Sequence, residues 1–66
     1  METNSIQDIQ QCIQHCQNTA QQLRNLANQE ANQQIKKMLT EGAHHLDLCV
    51  VECDFSLKQL QDPVMA

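Results

Sequence analysis

Apolar residues recur along this chain at steps of three or four positions, and this spacing is the feature that most limits its fold. An α-helix has about 3.6 residues per turn, so such steps place side chains on one side of the helix. The first run consists of Ile6, Ile9, Ile13, Cys16, Ala20, Leu23 and Ala27. The second run consists of Ile35, Leu39, Gly42, Leu46, Cys49, Cys53, Leu57 and Leu60. The spacing therefore predicts two amphipathic helices.

Local signals set the expected boundaries of these helices. We expect a single domain spanning 1–66, with a helix over about 5–28, a turn over 29–32, a helix over 33–61 and a tail over 62–66. Ser5 and Asp8 resemble a capping box at the first helix start. Pro63 stops the second helix because proline cannot continue the hydrogen-bond ladder. The turn segment contains neither glycine nor proline, so one continuous helix is the alternative.

The cysteines favour a hairpin over one long helix. They form two pairs, Cys12 with Cys53 and Cys16 with Cys49. Both pairs are symmetric about one point, between Asn32 and Gln33. Folding the chain there brings each pair to one level and places Leu23 beside Gly42, where a bulky residue meets the glycine. The sequence therefore predicts an all-α fold, an antiparallel two-helix hairpin.

The second helix has an additional apolar face. Leu48, Val51 and Phe55 fall opposite the side that faces the first helix, with His44 beside them. Contiguous exposed apolar surface usually marks an interaction site. We expect these residues to pair the hairpin with a second copy, in a four-helix bundle, or with another helical protein. The alternative is a few scattered surface hydrophobic residues, which are ordinary.

Three chemistries fit a layer of four sulfurs between the helices. Interhelical disulfides, Cys12 to Cys53 and Cys16 to Cys49, would form in an oxidising compartment. A metal would instead bind all four thiolates, with Zn²⁺ or Cu(I) as the candidates and His15 and His45 as auxiliary ligands. Free buried thiols, which behave as small hydrophobic groups, are the third interpretation.

Composition argues against several classes of function. The formal net charge of -4 repels phosphate backbones and anionic membranes, and Phe55 is the one aromatic residue that could stack on a base. We expect no nucleic-acid or membrane partner. Because no basic and apolar leader is present, the cytoplasm is the expected location. No histidine is placed with a serine or carboxylate for nucleophilic catalysis, so we expect no enzyme and no cofactor apart from the candidate metal.

A resemblance adds to this interpretation. The glutamine-rich first helix, the turn near residue 30 and the second helix from Ile35-Lys36-Lys37-Met38-Leu39 to Leu60 resemble the uncharacterised short helical-hairpin proteins of spore-forming Firmicutes. The resemblance covers residues 6–61 and implies a bacterial, non-enzymatic, sporulation-linked role without active-site residues. The four cysteines depart from that family. Their C-x-x-x-C spacing alone is similar to that of mitochondrial intermembrane-space chaperones and four-helix copper-storage proteins.

These observations lead to two functional hypotheses. The first is a non-catalytic helical assembly or interaction protein that uses the Leu48, Val51 and Phe55 face. The alternative is a small metal-binding protein that uses the four cysteines.

Overall fold

The computed structural model describes residues 2–61, and residues 2–4 through their backbone alone. Helix α1 spans Glu2–Gln29 and helix α2 spans Gln33–Gln61. The two helices pack against each other as an antiparallel hairpin with overall dimensions of 50 × 19 × 12 Å. The predicted all-α hairpin is therefore confirmed, and the alternative of one continuous helix is wrong.

Helix α1 begins earlier than the sequence signals indicate. It starts at Glu2, so Ser5 and Asp8 lie within the helix and do not cap its start. Residues 2–4 contain neither glycine nor proline, so their backbone can extend the helix without a break. Helix α2 ends at Gln61, the predicted position. The predicted tail over 62–66, with Pro63, lies outside the described residues.

The break between the helices is built by Asn32. Its side-chain Oδ1 accepts hydrogen bonds from the backbone N–H of Gln34 at 2.9 Å and of Ile35 at 3.1 Å. Its carbonyl oxygen accepts the first helical bond of α2, from the Lys36 N–H at 2.9 Å. Asn32 is thus the N-cap of α2, a position at which asparagine is among the preferred residues. Glu30 supports the turn, because its Oε2 accepts a hydrogen bond from the Asn32 N–H at 3.1 Å.

The most deeply buried residues of the seam between the helices are mainly alanines. Ala20, Ala27, Ala43 and Leu57 are the described hydrophobic residues that are buried, and no large side chain among residues 5–61 is fully buried. Gly42 also lies in the seam, where Leu23 Cδ1 would stand 3.5 Å from a Cβ placed on the glycine. The predicted meeting of Leu23 with Gly42 is therefore confirmed. Small residues let the helix backbones approach each other at these positions.

Neither α1 nor α2 has an apolar stretch long enough to span a lipid bilayer.

Candidate functional site

Packing of α1 against α2 brings cysteines together near the middle of the hairpin's length. The thiol layer consists of Cys12, Cys16, Cys49 and Cys53, all of them free thiols in the structure. Cys16 Sγ lies 4.0 Å from Cys49 Sγ across the seam. This contact confirms the register that the symmetric cysteine positions predict. Cys12 is exposed, whereas the other three are half-buried. The layer is therefore asymmetric, with one close pair between the helices.

Loss of solvation and neighbouring cysteines raise the pKa values of two thiols of the thiol layer. The pKa of the Cys16 thiol is raised above its ordinary value of 9.0, first by loss of solvation and then by the neighbouring Cys49. The pKa of the Cys53 thiol is raised for the same two reasons, in the same order. Cys12 contributes to both shifts through charge alone, as the last cause. Cys49 is thus the neighbour that the two shifted thiols share, one of them on each helix.

The donor groups of the layer do not converge as a metal site. Among the side chains of residues 5–61, no three from histidine, cysteine, aspartate or glutamate are arranged to hold a metal ion. His15 and His45, the auxiliary ligands of the metal hypothesis, are both exposed. His44 is exposed as well, and its ring centroid lies 6.5 Å from that of His45. This geometry gives the Zn²⁺ or Cu(I) hypothesis no support, and the site stays a prediction.

The predicted interaction residues form a second feature, on α2. The outer stripe consists of His44, Leu48, Val51 and Phe55. Leu48, Val51 and Phe55 are 49%, 65% and 64% exposed, and His44 is exposed too. With successive residues about 100° apart, the stripe centre lies about 170° around α2 from the seam. The stripe therefore lies on the side of α2 that faces away from α1.

Further large apolar side chains are exposed elsewhere on the hairpin. They are Leu26, Ile35, Met38 and Leu60. Leu26, Ile35 and Met38 lie near the turn, whereas Leu60 lies near the open end. Met38 is 65% exposed and points to a different side of α2 from the outer stripe. It provides a matched comparison for the stripe residues.

An ion pair links the surfaces of the two helices. The Arg24 guanidinium donates hydrogen bonds to both carboxylate oxygens of Asp47, with Nη1 at 3.5 Å from Oδ1 and Nη2 on Oδ2. This forked contact lowers the pKa of the Asp47 carboxyl and raises that of Arg24. Sequence reasoning missed the pair. The available signal was one arginine and one aspartate on the same edge of a predicted hairpin.

Comparison with known proteins adds no relative, since neither the protein-family models nor the curated proteins nor the solved structures contain a match to this chain.

Proposed function

We propose that this protein is a non-catalytic assembly module that pairs with a second copy of itself through the outer stripe. The observation that carries the proposal is the exposure of Leu48, Val51 and Phe55 on the side of α2 that α1 does not reach. In this hairpin of 66 residues, three of the four buried hydrophobic residues among the described ones are alanines, so the core is small. Covering the stripe adds the stability that such a small core lacks.

The spacing of the stripe suits a helical partner. Its residues follow one another at steps of four, three and four positions, the pattern of a coiled-coil seam. One further step of three in each direction reaches Glu41 and Lys58. The outer stripe is therefore bounded by an acidic residue at one end and a basic residue at the other.

This arrangement favours an antiparallel pair with its two-fold axis between Cys49 and Val50. In that register Leu48 lies opposite Val51 of the second copy, and the stripe histidine lies opposite Phe55. Glu41 then lies opposite Lys58, so opposite charges meet at both ends. A shift by one heptad would place Leu48 against Lys58. In a parallel pair, Glu41 would face Glu41 of the second copy and Lys58 would face Lys58, so like charges would meet, which is unfavourable.

The Lys58 ammonium group at one end of the outer stripe can still pair with a carboxylate of the second copy. Lys58 Nζ lies 3.0 Å from Asp54 Oδ2 within α2, and the Lys58 side chain is 73% exposed. A lysine ammonium group has three donors, so a carboxylate from the second copy can share it. In the resulting assembly the two α2 helices stand at the centre, and the two α1 helices lie on the outside. This is a layer of four helices in which the seam of each hairpin is unchanged.

A comparison of two equally exposed residues tests the proposal. We expect Phe55→Ala to weaken the dimer by about 2–4 kcal/mol, because each copy withdraws one largely exposed phenylalanine from the interface. The dissociation constant then rises about 30-fold or more. Met38→Ala removes a side chain of the same exposure from the same helix and should leave the constant unchanged. Sedimentation equilibrium over a range of protein concentrations measures both.

Two results would contradict this proposal. The first is a wild-type protein that stays monomeric at the highest concentration at which it is soluble. The second is a Met38→Ala variant that weakens the dimer more than Phe55→Ala does, because the apolar surface near the turn would then be the interface. Circular dichroism of each variant checks that the hairpin itself is retained.

Exchange of the end charges tests the orientation separately. Glu41→Lys or Lys58→Glu alone brings like charges together at both ends of an antiparallel dimer. Each should raise the dissociation constant several-fold at low salt, the range expected of exposed ion pairs. The combined variant restores the opposite charges and should recover the original value. Single variants without effect would leave the stripe as the interface and rule out the antiparallel register.

A further inference from the structure

We propose that Cys16 and Cys49 form a redox-active dithiol that closes reversibly to an interhelical disulfide, while Cys12 and Cys53 remain thiols. The two sulfurs already touch across the seam, at 4.0 Å. A disulfide bond is about 2.05 Å long, so the atoms need to approach by about 2 Å. Rotation about the side-chain bonds can supply much of this movement.

The packing around the pair holds it in position. The contacts between Leu23 and Gly42 and between Cys16 and Cys49 share one register along the two helices. Ala20, Ala27 and Ala43 are buried in the turn half of the hairpin, where small side chains let the backbones approach each other. Both cysteines of the pair are half-buried, so neither residue is sealed in the core away from a small oxidant. Cys12 is exposed at the edge of the layer and is less constrained.

The oxidant in this proposal is a low-molecular-weight disulfide such as glutathione disulfide. One protein thiolate attacks a sulfur of the oxidant, which forms a mixed disulfide and releases one glutathione thiolate. The second thiolate then attacks the protein-bound sulfur, which forms the Cys16–Cys49 bond and releases the second glutathione. The protein dithiol loses two electrons and two protons, and one glutathione disulfide is reduced to two glutathione molecules.

The environment of the pair slows this reaction near neutral pH. Loss of solvation and the neighbouring Cys49 raise the pKa of the Cys16 thiol, so less of it is present as thiolate. The exchange is therefore slower near neutral pH than it would be for a thiol of ordinary pKa. The bond joins residues that are 33 positions apart in the chain. It ties the middle of α1 to the middle of α2.

The test is oxidation of the reduced protein in glutathione buffers of increasing oxidised fraction, at mildly alkaline pH. Remaining thiols are blocked with iodoacetamide, and intact mass with peptide mapping locates the bond. We expect one intramolecular bond, between Cys16 and Cys49, with Cys12 and Cys53 alkylated. Excess dithiothreitol should reverse it. The oxidised protein should melt at least about 10 °C higher than the reduced protein.

Serine variants provide the controls. The double variant Cys12→Ser with Cys53→Ser should form the same bond, and Cys16→Ser should form no intramolecular bond. A bond between Cys12 and Cys53, bonds between molecules only, or stable glutathione adducts without ring closure would each overturn the proposal. Thiols that stay free in the most oxidising buffer would overturn it as well. Circular dichroism establishes that each variant is folded, and the wild-type peptide map decides the pairing independently of any variant.

Discussion

Replacing Gly42 with alanine measures how closely the two helices need to approach. Gly42 lies inside α2, where glycine is less favourable than alanine by about 1 kcal/mol because its backbone loses more freedom on folding. A Cβ at this position would stand 3.5 Å from Leu23 Cδ1, an ordinary van der Waals contact. No described glycine has a positive φ, so alanine fits the backbone as well. We expect Gly42→Ala to stabilise the hairpin by about 0.5–1 kcal/mol.

Thermal unfolding followed by circular dichroism is the appropriate assay. For a chain of this size about 1 kcal/mol corresponds to a shift of about 4–8 °C in melting temperature, so we expect a rise of about 2–8 °C. The samples need equal protein concentrations, because association shifts the apparent stability. Thr40→Ala is the matched control, since Thr40 is exposed on the same helix and its change improves helix propensity without altering the seam.

A fall in melting temperature for Gly42→Ala, with a rise for Thr40→Ala, would refute this reasoning. It would show that the helices approach more closely than the contact with Leu23 indicates, and that the glycine is needed for space. Gly42→Leu gives the opposite limit. The leucine side chain is larger than the space between position 42 and Leu23, so overpacking should destabilise the hairpin by about 1–3 kcal/mol.

Two further predictions concern the turn and the ion pair. Asn32→Ala removes the acceptor for the Gln34 and Ile35 N–H groups and should lower the stability by about 1 kcal/mol, whereas Asn32→Ser should retain most of it, as thermal melts would show. Asp47→Asn removes the carboxylate that pairs with Arg24. In the wild type, Arg24 lowers the pKa of the Asp47 carboxyl below its ordinary value of 3.8, mainly through the hydrogen bond that it donates. The ion pair therefore stabilises the fold at neutral pH and is lost as pH falls through the folded-state pKa. The melting-temperature difference between wild type and Asp47→Asn should close in that acidic range.

The sequence predicts the fold and its register because both depend on periodic features. Steps of three or four residues define the helix faces, and the shared midpoint of the cysteine pairs defines where the chain reverses. The contact between Cys16 and Cys49 and that between Leu23 and Gly42 then follow from one register. The exposure of Leu48 is also predictable, because the residue lies opposite the seam at helical spacing.

Other features depend on single side chains that periodicity does not describe. Asn32 is a weak helix breaker by propensity, and its effect comes from Oδ1 capping two backbone N–H groups. Arg24 and Asp47 are not level in the hairpin register, since Asp47 lies six residues beyond the position opposite Arg24, or about 9 Å along the axis. A long arginine side chain spans such an offset. The symmetry of the cysteine positions treats both pairs alike, but Cys12 lies outside the apolar run of the first helix and is exposed.

The two proposals concern opposite sides of the same helix. Cys49 faces the seam with α1, whereas Val51 and Phe55 lie on the outer stripe. A disulfide would therefore constrain the seam and leave the stripe open, and a second copy would cover the stripe and leave the sulfurs within reach. Because neither contact uses the residues of the other, their contributions to stability should be close to additive. Three of the four buried hydrophobic residues among the described ones are alanines, so the core is small and we expect each contact to add to the stability of the hairpin.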